Sequence, residues 1–337
     1  MDTITKKNKL YIIAEIGSVH DGSFGNACKL IYLAAKCGAN AVKFQTHFGE
    51  FESLKSAKRP SFFKEEDRIS YFNRTMFNFS EYKKFIFLAR KNKIDFLSSP
   101  FSLEAVDFLE KLKVKAYKIP SGELTNHPLL ARIAKTKKKV FLSTGMANWN
   151  EIDDAVKILR KNKDLTVMQC TSIYPCPLDK VGLNVISEIR KRYKIKVGFS
   201  DHTNDSIAAI GAVFFGATVI EKHITFSKYM YGSDAKNAME PKEFKIFCND
   251  IKKASFILNN PIKKNIYYNF KNIKKVFEKS IVSKTDLLKG TKININHLSY
   301  KKPGDGINAS RYKELLGLKL RKDIKKDTKI LFKYLKK

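Results

Sequence analysis

The chain has 337 residues, of which 43% are hydrophobic and 29% are charged. This composition supports a sizeable core and excludes a disordered chain, and the length predicts two domains or one large barrel with an appendage. No stretch approaches the ~18 uncharged apolar residues of a membrane span, and the start, MDTITKKNKL, lacks the apolar segment of a secretory signal. Five scattered cysteines without a Cys-x-x-Cys pair favour a reducing, cytoplasmic setting.

The net charge of +32 arises from 65 Lys and Arg against 33 Asp and Glu. Such an excess is compatible with nucleic acid, an anionic membrane surface or an anionic small substrate. The basic residues are spread along the whole chain, and no compact arm combines them with aromatic side chains. We therefore expect a lysine-rich surface, an anionic small substrate and no nucleic-acid partner.

Short β-rich runs alternate with helical stretches from residue 11 to about residue 258. The predicted strands are Tyr11–Gly17, Ala41–Thr46, Asp95–Pro100, Ala116–Pro120, Val140–Thr144, Thr166–Thr171, Val197–Asp201 and Val219–Phe226. The helical stretches include Asn26–Cys37, Glu81–Lys91, Leu103–Lys111, Glu151–Lys161 and Ser206–Phe215. Eight such units over about 250 residues predict an α/β fold, a (β/α)₈ TIM barrel. No G-x-G-x-x-G follows the first strand, which argues against a dinucleotide-binding fold.

Two further segments interrupt or follow this pattern. The connection from His47 to about Ser80 is long and aromatic, and its residues include Phe48, Phe51, Phe62, Phe63, Tyr71 and Phe72. An insertion there would lie at the catalytic face of a barrel and can act as a lid. We divide the chain into a barrel domain (1–258), a basic linker (259–279) and a small domain (280–337), which is marginally stable alone at this size.

Polar side chains end every predicted strand, where a purely structural strand would end in apolar or turn residues. The candidates are Glu15, Lys43, Gln45, Ser99, Lys118, Ser121, Glu123, Ser143, Tyr174, Ser200, His202, Glu221 and His223. In a barrel the carboxyl ends of the strands meet at one face, which carries the active site in this fold. The pattern therefore predicts an enzyme with a polar pocket at the barrel mouth.

Lys43 and Lys118 lie within otherwise apolar runs of central strands. A buried lysine needs an anionic partner, and a substrate phosphate or carboxylate would supply one. A lysine at a barrel centre can instead form a Schiff base. Two lysines with serine hydroxyls nearby favour the clamping of an anion over an imine.

His202 and His223 end successive strands, which neighbour each other in a barrel. Two imidazoles with carboxylate and water ligands suit Mn²⁺, Fe²⁺ or Zn²⁺, whereas two structural histidines are the alternative interpretation. Glu15 and Glu221 are the candidate carboxylates for base catalysis or for support of a metal. His47 and His127 lie in loops and receive no role.

The ordered motifs resemble those of the sialic acid (N-acetylneuraminate) synthase family, the bacterial nonulosonic acid synthases. The similar segments are AEIGSVHDGS (14–23), GANAVKFQTH (38–47), FLSSPFS (96–102), YKIPSGELTNHPLL (117–130), FLSTGM (141–146), QCTSIYPCP (169–177), VGFSDHT (197–203), ATVIEKHIT (217–225) and YGSDAKNAMEP (231–241). The tail, with SIVSKTDLLKGTKI and KKPGDGI (301–307), resembles the antifreeze-like (SAF) domain of that family. The resemblance runs nearly end to end.

This resemblance implies a TIM barrel followed by an SAF domain, in a domain-swapped homodimer whose SAF domains each reach over the partner's barrel. The implied reaction joins phosphoenolpyruvate to the open-chain aldehyde of an N-acyl hexosamine such as N-acetylmannosamine. Phosphate leaves by C–O cleavage, and a nine-carbon 2-keto-3-deoxy acid forms. The implied cofactor is a divalent metal, Mn²⁺ or Mg²⁺.

The resemblance also implies roles for particular residues. Phosphoenolpyruvate is assigned to Lys43, Ser99, Lys118, Ser121, Ser143 and Ser200. The sugar is assigned to Gln45, Glu123, Tyr174, Asp234 and Lys302. The metal is assigned to His202 and His223. Glu15 matches the family's catalytic glutamate, which orients or deprotonates the water that adds to C2, and Glu221 is a second catalytic candidate.

Three positions depart from the family pattern, which has Asn at position 19, Asn at position 172 and Arg at position 302. This chain has Val19, Ser172 and Lys302 instead. Arg and Lys differ in the contacts they make, so the sugar is left open between N-acetylmannosamine and a legionaminic- or pseudaminic-type precursor. A Schiff-base aldolase on the same barrel and a non-catalytic basic binding protein are the competing interpretations.

Overall fold

The computed structural model describes residues 10–58, 66–162, 164–232, 234–264 and 270–337. Eight parallel strands close into a barrel in which β1 pairs with both β2 and β8. The strands are β1 (Tyr11–Gly17), β2 (Ala41–Thr46), β3 (Asp95–Pro100), β4 (Ala116–Ile119), β5 (Lys139–Ser143), β6 (Leu165–Cys170), β7 (Lys196–Asp201) and β8 (Val219–His223). The predicted (β/α)₈ barrel is therefore confirmed.

Helices alternate with these strands, as the apolar periodicity of the intervening segments predicts. They are α1 (Phe24–Cys37), α2 (Gly49–Glu52), α3 (Arg68–Thr75), α4 (Phe79–Lys91), α5 (Leu103–Lys111), α6 (His127–Lys135), α7 (Trp149–Leu159), α8 (Leu183–Tyr193), α9 (Ile207–Phe214) and α10 (Pro241–Leu258). The long connection after β2 contains α2 and α3, whereas Phe62 and Phe63 lie outside the described residues. None of the described helices is long and apolar enough to cross a bilayer.

The barrel interior is layered because alternate residues of each strand point inward. A middle apolar layer is made of Ile13, Ala41, Leu97, Ala116, Phe141, Met168 and Val219. Two residues further along their strands lie Glu15, Lys43, Ser99, Lys118, Ser143, Cys170 and Glu221, all of them buried. The apolar layer thus forms the floor beneath a polar layer at the carboxyl end of the strands.

The second compact unit comprises Ile262–Lys337. It begins with α11 (Lys271–Phe277), which lies inside the segment that we interpreted as a linker. Its antiparallel pairs are β9 (Ser280–Ser283) with β10 (Leu298–Lys301) and β11 (Lys319–Leu320) with β12 (Leu335–Lys336). Its core contains Ile281, Leu287, Ile293, Leu298, Ile307, Leu315, Leu320, Ile324, Ile330 and Leu335. The short length of this segment did not predict an aliphatic core of its own.

Candidate active site

The two strand lysines share one carboxylate inside the barrel. Glu221 Oε1 on β8 lies 3.4 Å from Lys43 Nζ on β2 and 3.3 Å from Lys118 Nζ on β4. All three side chains are at most 5% exposed. The protein itself therefore supplies the anionic partner that we expected from a substrate.

Glu15 is the second carboxylate of this cluster. Its Oε1 accepts a hydrogen bond of 2.8 Å from Gln45 Nε2, and its Oε2 lies 3.2 Å from Lys43 Nζ. That Oε2 is buried and outside hydrogen-bond geometry with any described group. The pairing of β1 with β2 shifts register between Glu15 and Gly17, and such a bulge re-aims a side chain. Glu15 Oε2 is therefore ion-paired with Lys43 but keeps a lone pair open to a further donor.

The two carboxylates differ in their electrostatic surroundings. Burial opposes ionisation of Glu221, but Lys118 and Lys43 outweigh it and lower its pKa to about 2. Burial raises the pKa of Glu15 to about 7, against the pull of Lys43 and with reinforcement from the Glu221 charge. Two carboxyl groups with separated pKa values are a common arrangement for acid–base chemistry. Glu221 is the counter-ion of the two lysines, and burial holds the pKa of Glu15 above the ordinary value of a carboxyl group.

Serine hydroxyls surround the cluster. Ser99 accepts a hydrogen bond of 3.3 Å from Lys43 Nζ, and Ser200 donates one of 3.0 Å to Glu221 Oε1. The Ser143 hydroxyl is buried without a described partner. Because buried polar atoms are nearly always paired, the free hydroxyl and the open Glu15 oxygen together indicate room for a polar ligand.

Ser121 lies just after β4. Its Oγ accepts a hydrogen bond of 2.9 Å from the backbone N–H of Gly145. A Cβ on Gly145 would come within 3 Å of the side chains of Ser121, Cys170 and Ser172. Only glycine fits here, since any side chain would displace these polar groups. Ser121 is thereby held at the rim of the barrel by the backbone of the next strand connection.

The predicted metal pair lies where β7 and β8 end. The ring centroids of His202 and His223 are 5.8 Å apart, and the Tyr174 ring packs 4.0 Å from that of His202. His202 Nδ1 contacts the Thr171 carbonyl at 2.9 Å, which orients the ring. Burial lowers the pKa of His223 to about 4, and its Nδ1 is buried without a described partner.

Two imidazoles at this spacing form a donor set that suits a divalent ion, with water or substrate in its remaining positions. The described residues contain no group of three or more His, Cys, Asp or Glu side chains placed to hold an ion. The carboxylates Glu15 and Glu221 pair with Lys43 and Lys118.

The candidate sugar contacts Gln45, Asp234 and Glu123 lie in the barrel unit. Gln45 donates a hydrogen bond to Glu15. Asp234 Oδ2 accepts a hydrogen bond of 3.0 Å from the backbone N–H of Ser18. Gly17 has a φ of +55°, and a Cβ there would lie 2.1 Å from Asp234 Oδ2, so glycine lets Asp234 approach the end of β1. Glu123 accepts from Asn126 at 2.8 Å and has no described contact with the lysine cluster. Lys302 lies in the second unit, over the Phe277 ring.

The sequence interpretation left out two features of this region. His47, to which we gave no role, bonds both Gln45 and Glu52. Lys222 and Asp201 form a buried ion pair of 2.9 Å between β8 and β7, each beside one histidine of the metal pair. Their position next to His223 and His202 in the chain was the available signal. His127 is exposed at the start of α6 and stays without a role.

The closed barrel and its buried cluster of acids, lysines and serines define an enzyme of the TIM-barrel class that acts at the carboxyl end of its strands. The family match covers residues 30–263 and is to the NeuB family. The chain belongs to the NeuB family.

Relatives support the same assignment over nearly the whole length. The chain is 41% identical over 328 residues to N,N'-diacetyllegionaminic acid synthase of Campylobacter jejuni subsp. jejuni serotype O:2, covering 95% of this chain and 98% of that protein. It is 33% identical to the protein of the same name from Legionella pneumophila subsp. pneumophila, covering 96% and 94%. The crystal structure of N-acetylneuraminic acid (sialic acid) synthetase from Leptospira borgpetersenii, in complex with citrate, has a TM-score of 0.71 at 28% identity and covers 81% and 94%. The chain is an enzyme of this synthase class.

Proposed function

We propose that the chain condenses phosphoenolpyruvate with the open-chain form of an N-acyl hexosamine and water. The products are a nine-carbon 2-keto-3-deoxy sugar acid and phosphate. The observation that carries this proposal is the pair of buried lysines, Lys43 and Lys118, on one shared carboxylate at the barrel mouth. Family membership supports the same class of reaction.

The lysine cluster suits a small substrate with several negative charges. Lys43 and Lys118 provide cations from two strands, and Ser99, Ser143 and Ser200 provide hydroxyls around them. Charge-assisted hydrogen bonds from such groups are the strong ones in a dry site. We assign the phosphate and carboxylate of phosphoenolpyruvate to these groups, with Ser121 at the rim.

The bond changes balance with the groups present. C3 of the enolpyruvate attacks the aldehyde carbon, and the aldehyde oxygen becomes a hydroxyl by taking up a proton. Water adds to C2, the bond between C2 and the bridging oxygen breaks, and the 2-keto group forms as phosphate leaves. Glu15 accepts or orients the proton of that water, a role supported by its open Oε2 and its pKa of about 7.

A divalent ion is part of the proposal. His202 and His223 would hold it, supported by their facing rings and by the unpartnered Nδ1 of His223. When bound, the ion polarises the sugar aldehyde as a Lewis acid. Tyr174, whose ring packs against His202, would meet the sugar beside it.

For the sugar, we propose a hexose that carries two acetamido groups. Two relatives are named for a diacetylated nine-carbon product, at 41% and 33% identity, and three of the nine carbons come from phosphoenolpyruvate. Val19, one of the departures from the sialic acid synthase pattern, packs in the apolar core of the barrel, and we assign it no contact with the sugar. Gln45, Glu123, Asp234 and Lys302 are the groups proposed to contact the sugar.

The second unit is proposed to be an SAF-type domain that serves the partner's barrel in a homodimer. The supporting observation is its own aliphatic core, which lets it act as a separate body. The test mixes two inactive variants, Glu15→Ala and Lys302→Ala. A swapped dimer regains one intact site on subunit exchange, so partial activity returns. If exchange is verified and no activity returns, the unit acts in its own chain or Lys302 has no role.

The function itself is tested with a panel of hexosamines. Each sugar, with one acetamido group or two and including N-acetylmannosamine and pseudaminic-type stereoisomers, is incubated with phosphoenolpyruvate and Mn²⁺. We expect phosphate release and a product with the mass of a nine-carbon acid, formed fastest with a diacetamido sugar.

The competing functions have their own tests. Treatment of the protein with pyruvate and borohydride should leave it unlabelled, because no imine forms. Covalent labelling would favour the aldolase, and a salt-sensitive nucleic-acid complex without turnover would favour a binding protein.

A further inference from the structure

We propose that His47 is a positioning residue for Glu15, acting through the side-chain amide of Gln45. His47 Nε2 lies 3.0 Å from Gln45 Oε1, and Gln45 Nε2 donates to Glu15 Oε1 at 2.8 Å. The contacts form one continuous chain from a loop histidine to the carboxylate of the lysine cluster. This inference rests on the proposed function in one respect, which is that the function gives Glu15 its role in turnover.

The His47 ring is held from three directions. It stacks between Phe72 and Phe101, with ring centroids 3.9 and 4.0 Å away. Its Nδ1 lies 2.9 Å from both carboxylate oxygens of Glu52, and the two side chains are 11% and 7% exposed. Stacking fixes the plane of the ring, and Glu52 fixes its rotation within that plane.

The hydrogen-bond roles follow from the chemistry of the partners. The two ring nitrogens of His47 both face acceptor oxygens, those of Glu52 at Nδ1 and Gln45 Oε1 at Nε2. The contacts as placed therefore use both ring N–H groups as donors, and this leaves the Gln45 amide N–H to face Glu15. The reversed amide would place its carbonyl oxygen against Glu15 Oε1, and two acceptors at 2.8 Å repel. His47 therefore selects the amide orientation that holds the Glu15 carboxylate.

The Gln45 contact controls the orientation of the Glu15 carboxylate. Gln45 occupies Oε1 of Glu15, and Lys43 lies beside Oε2 without hydrogen-bond geometry. When the amide is free to turn, Glu15 loses the contact that orients its open oxygen. Small misplacements of a reacting group cost up to ~100-fold in rate, whereas the affinity for phosphoenolpyruvate depends on the lysines and is spared.

The test uses His47→Phe, which keeps the stack on Phe72 and Phe101 but removes both ring hydrogen bonds. We expect kcat to fall roughly 10- to 100-fold with KM for phosphoenolpyruvate within about threefold. His47→Gln keeps one N–H donor and should recover part of kcat. The matched control is His127→Phe, an exposed histidine on the barrel, which should leave kcat within about twofold.

Action through Gln45 is isolated in a Gln45→Met background, where His47→Phe should have less than about a twofold effect on kcat. Losses that multiply in the double variant would overturn the proposal.

A second experiment needs no substrate and records the Gln45 side-chain amide signals by ¹H–¹⁵N NMR. These signals are assigned as the ones that disappear in Gln45→Met. His47→Phe should move them and His127→Phe should not; unmoved signals would also overturn it. If no hexosamine supports turnover, the proposed function fails and this experiment alone decides the role of His47.

Discussion

The two ends of the barrel use charge in opposite ways. At the carboxyl end, Glu15, Lys43, Lys118 and Glu221 are buried and contact one another. At the amino end, Lys139 and Lys196 share Asp164 at 3.8 and 2.9 Å, but all three side chains remain 31–60% exposed. The pairing is alike, with two lysines on one carboxylate, and only the burial differs.

This contrast shows why a net charge of +32 is a poor guide to function. Among the described residues, the buried Asp, Glu, Lys and His side chains lie at the level of the polar layer in their strands, further toward the carboxyl ends, or in the segments just after them. They are Glu15, His20, Lys43, Lys118, Asp201, His202, Glu221, Lys222 and His223. Cavity size is no better a guide, since a cavity of about 730 Å³ opens at the amino end among exposed cations such as Lys93, Lys113 and Lys115. Burial of charge locates the site.

The largest expected effect concerns the shared carboxylate. Glu221→Gln removes the carboxylate that pairs with buried Lys118 and leaves Lys43 with Glu15 alone, and removing one partner of a buried pair costs about 3–5 kcal/mol of unfolding free energy. Urea unfolding of the variant and the wild type measures this loss. A loss below about 1 kcal/mol would mean that water or another group already compensates the lysines.

The lysines are expected to act on phosphoenolpyruvate. Lys43→Met or Lys118→Met should lower kcat/KM for phosphoenolpyruvate roughly 100- to 1,000-fold, equivalent to about 2.7–4 kcal/mol. Steady-state phosphate release with each substrate varied in turn measures it, and Lys196→Met at the amino end is the matched control. A change confined to the sugar KM would show that these roles are assigned to the wrong substrate.

The histidine pair is expected to carry the metal. His202→Ala should lose bound Mn²⁺ and reduce activity roughly 100-fold, because one of only two imidazoles is removed. Metal content after dialysis and activity against added Mn²⁺ are measured together, with His127→Ala as the control. Full Mn²⁺ dependence retained in both His202→Ala and His223→Ala would remove the assignment.

The smallest effect is expected where the same motif is exposed. Asp164→Asn breaks the contacts with Lys139 and Lys196, yet exposed ion pairs contribute about 0–1 kcal/mol. Its urea midpoint should therefore stay close to that of the wild type, in the same experiment as Glu221→Gln. Equal losses from the two variants would erase the difference between the ends of the barrel.

Much of the fold was predictable because strand and helix periodicities are local. β1, β2 and β3 have the predicted bounds, and β8 ends at His223 since the chain then leaves the sheet for a single bridge between Ile224 and Met239. The strand ends predicted which polar groups share the mouth. What stayed hidden depends on side-chain direction: the sharing of Glu221 by two lysines, and the link of His47 to Glu15 through Gln45.

The central claim is that the buried cluster breaks the C–O bond of phosphoenolpyruvate while a new C–C bond forms. Its most direct test uses phosphoenolpyruvate carrying oxygen-18 in the bridge between C2 and phosphorus, with a diacetamido hexose and Mn²⁺. The account predicts that the released phosphate retains the label, as read by mass spectrometry. Unlabelled phosphate, produced by P–O cleavage, would contradict it.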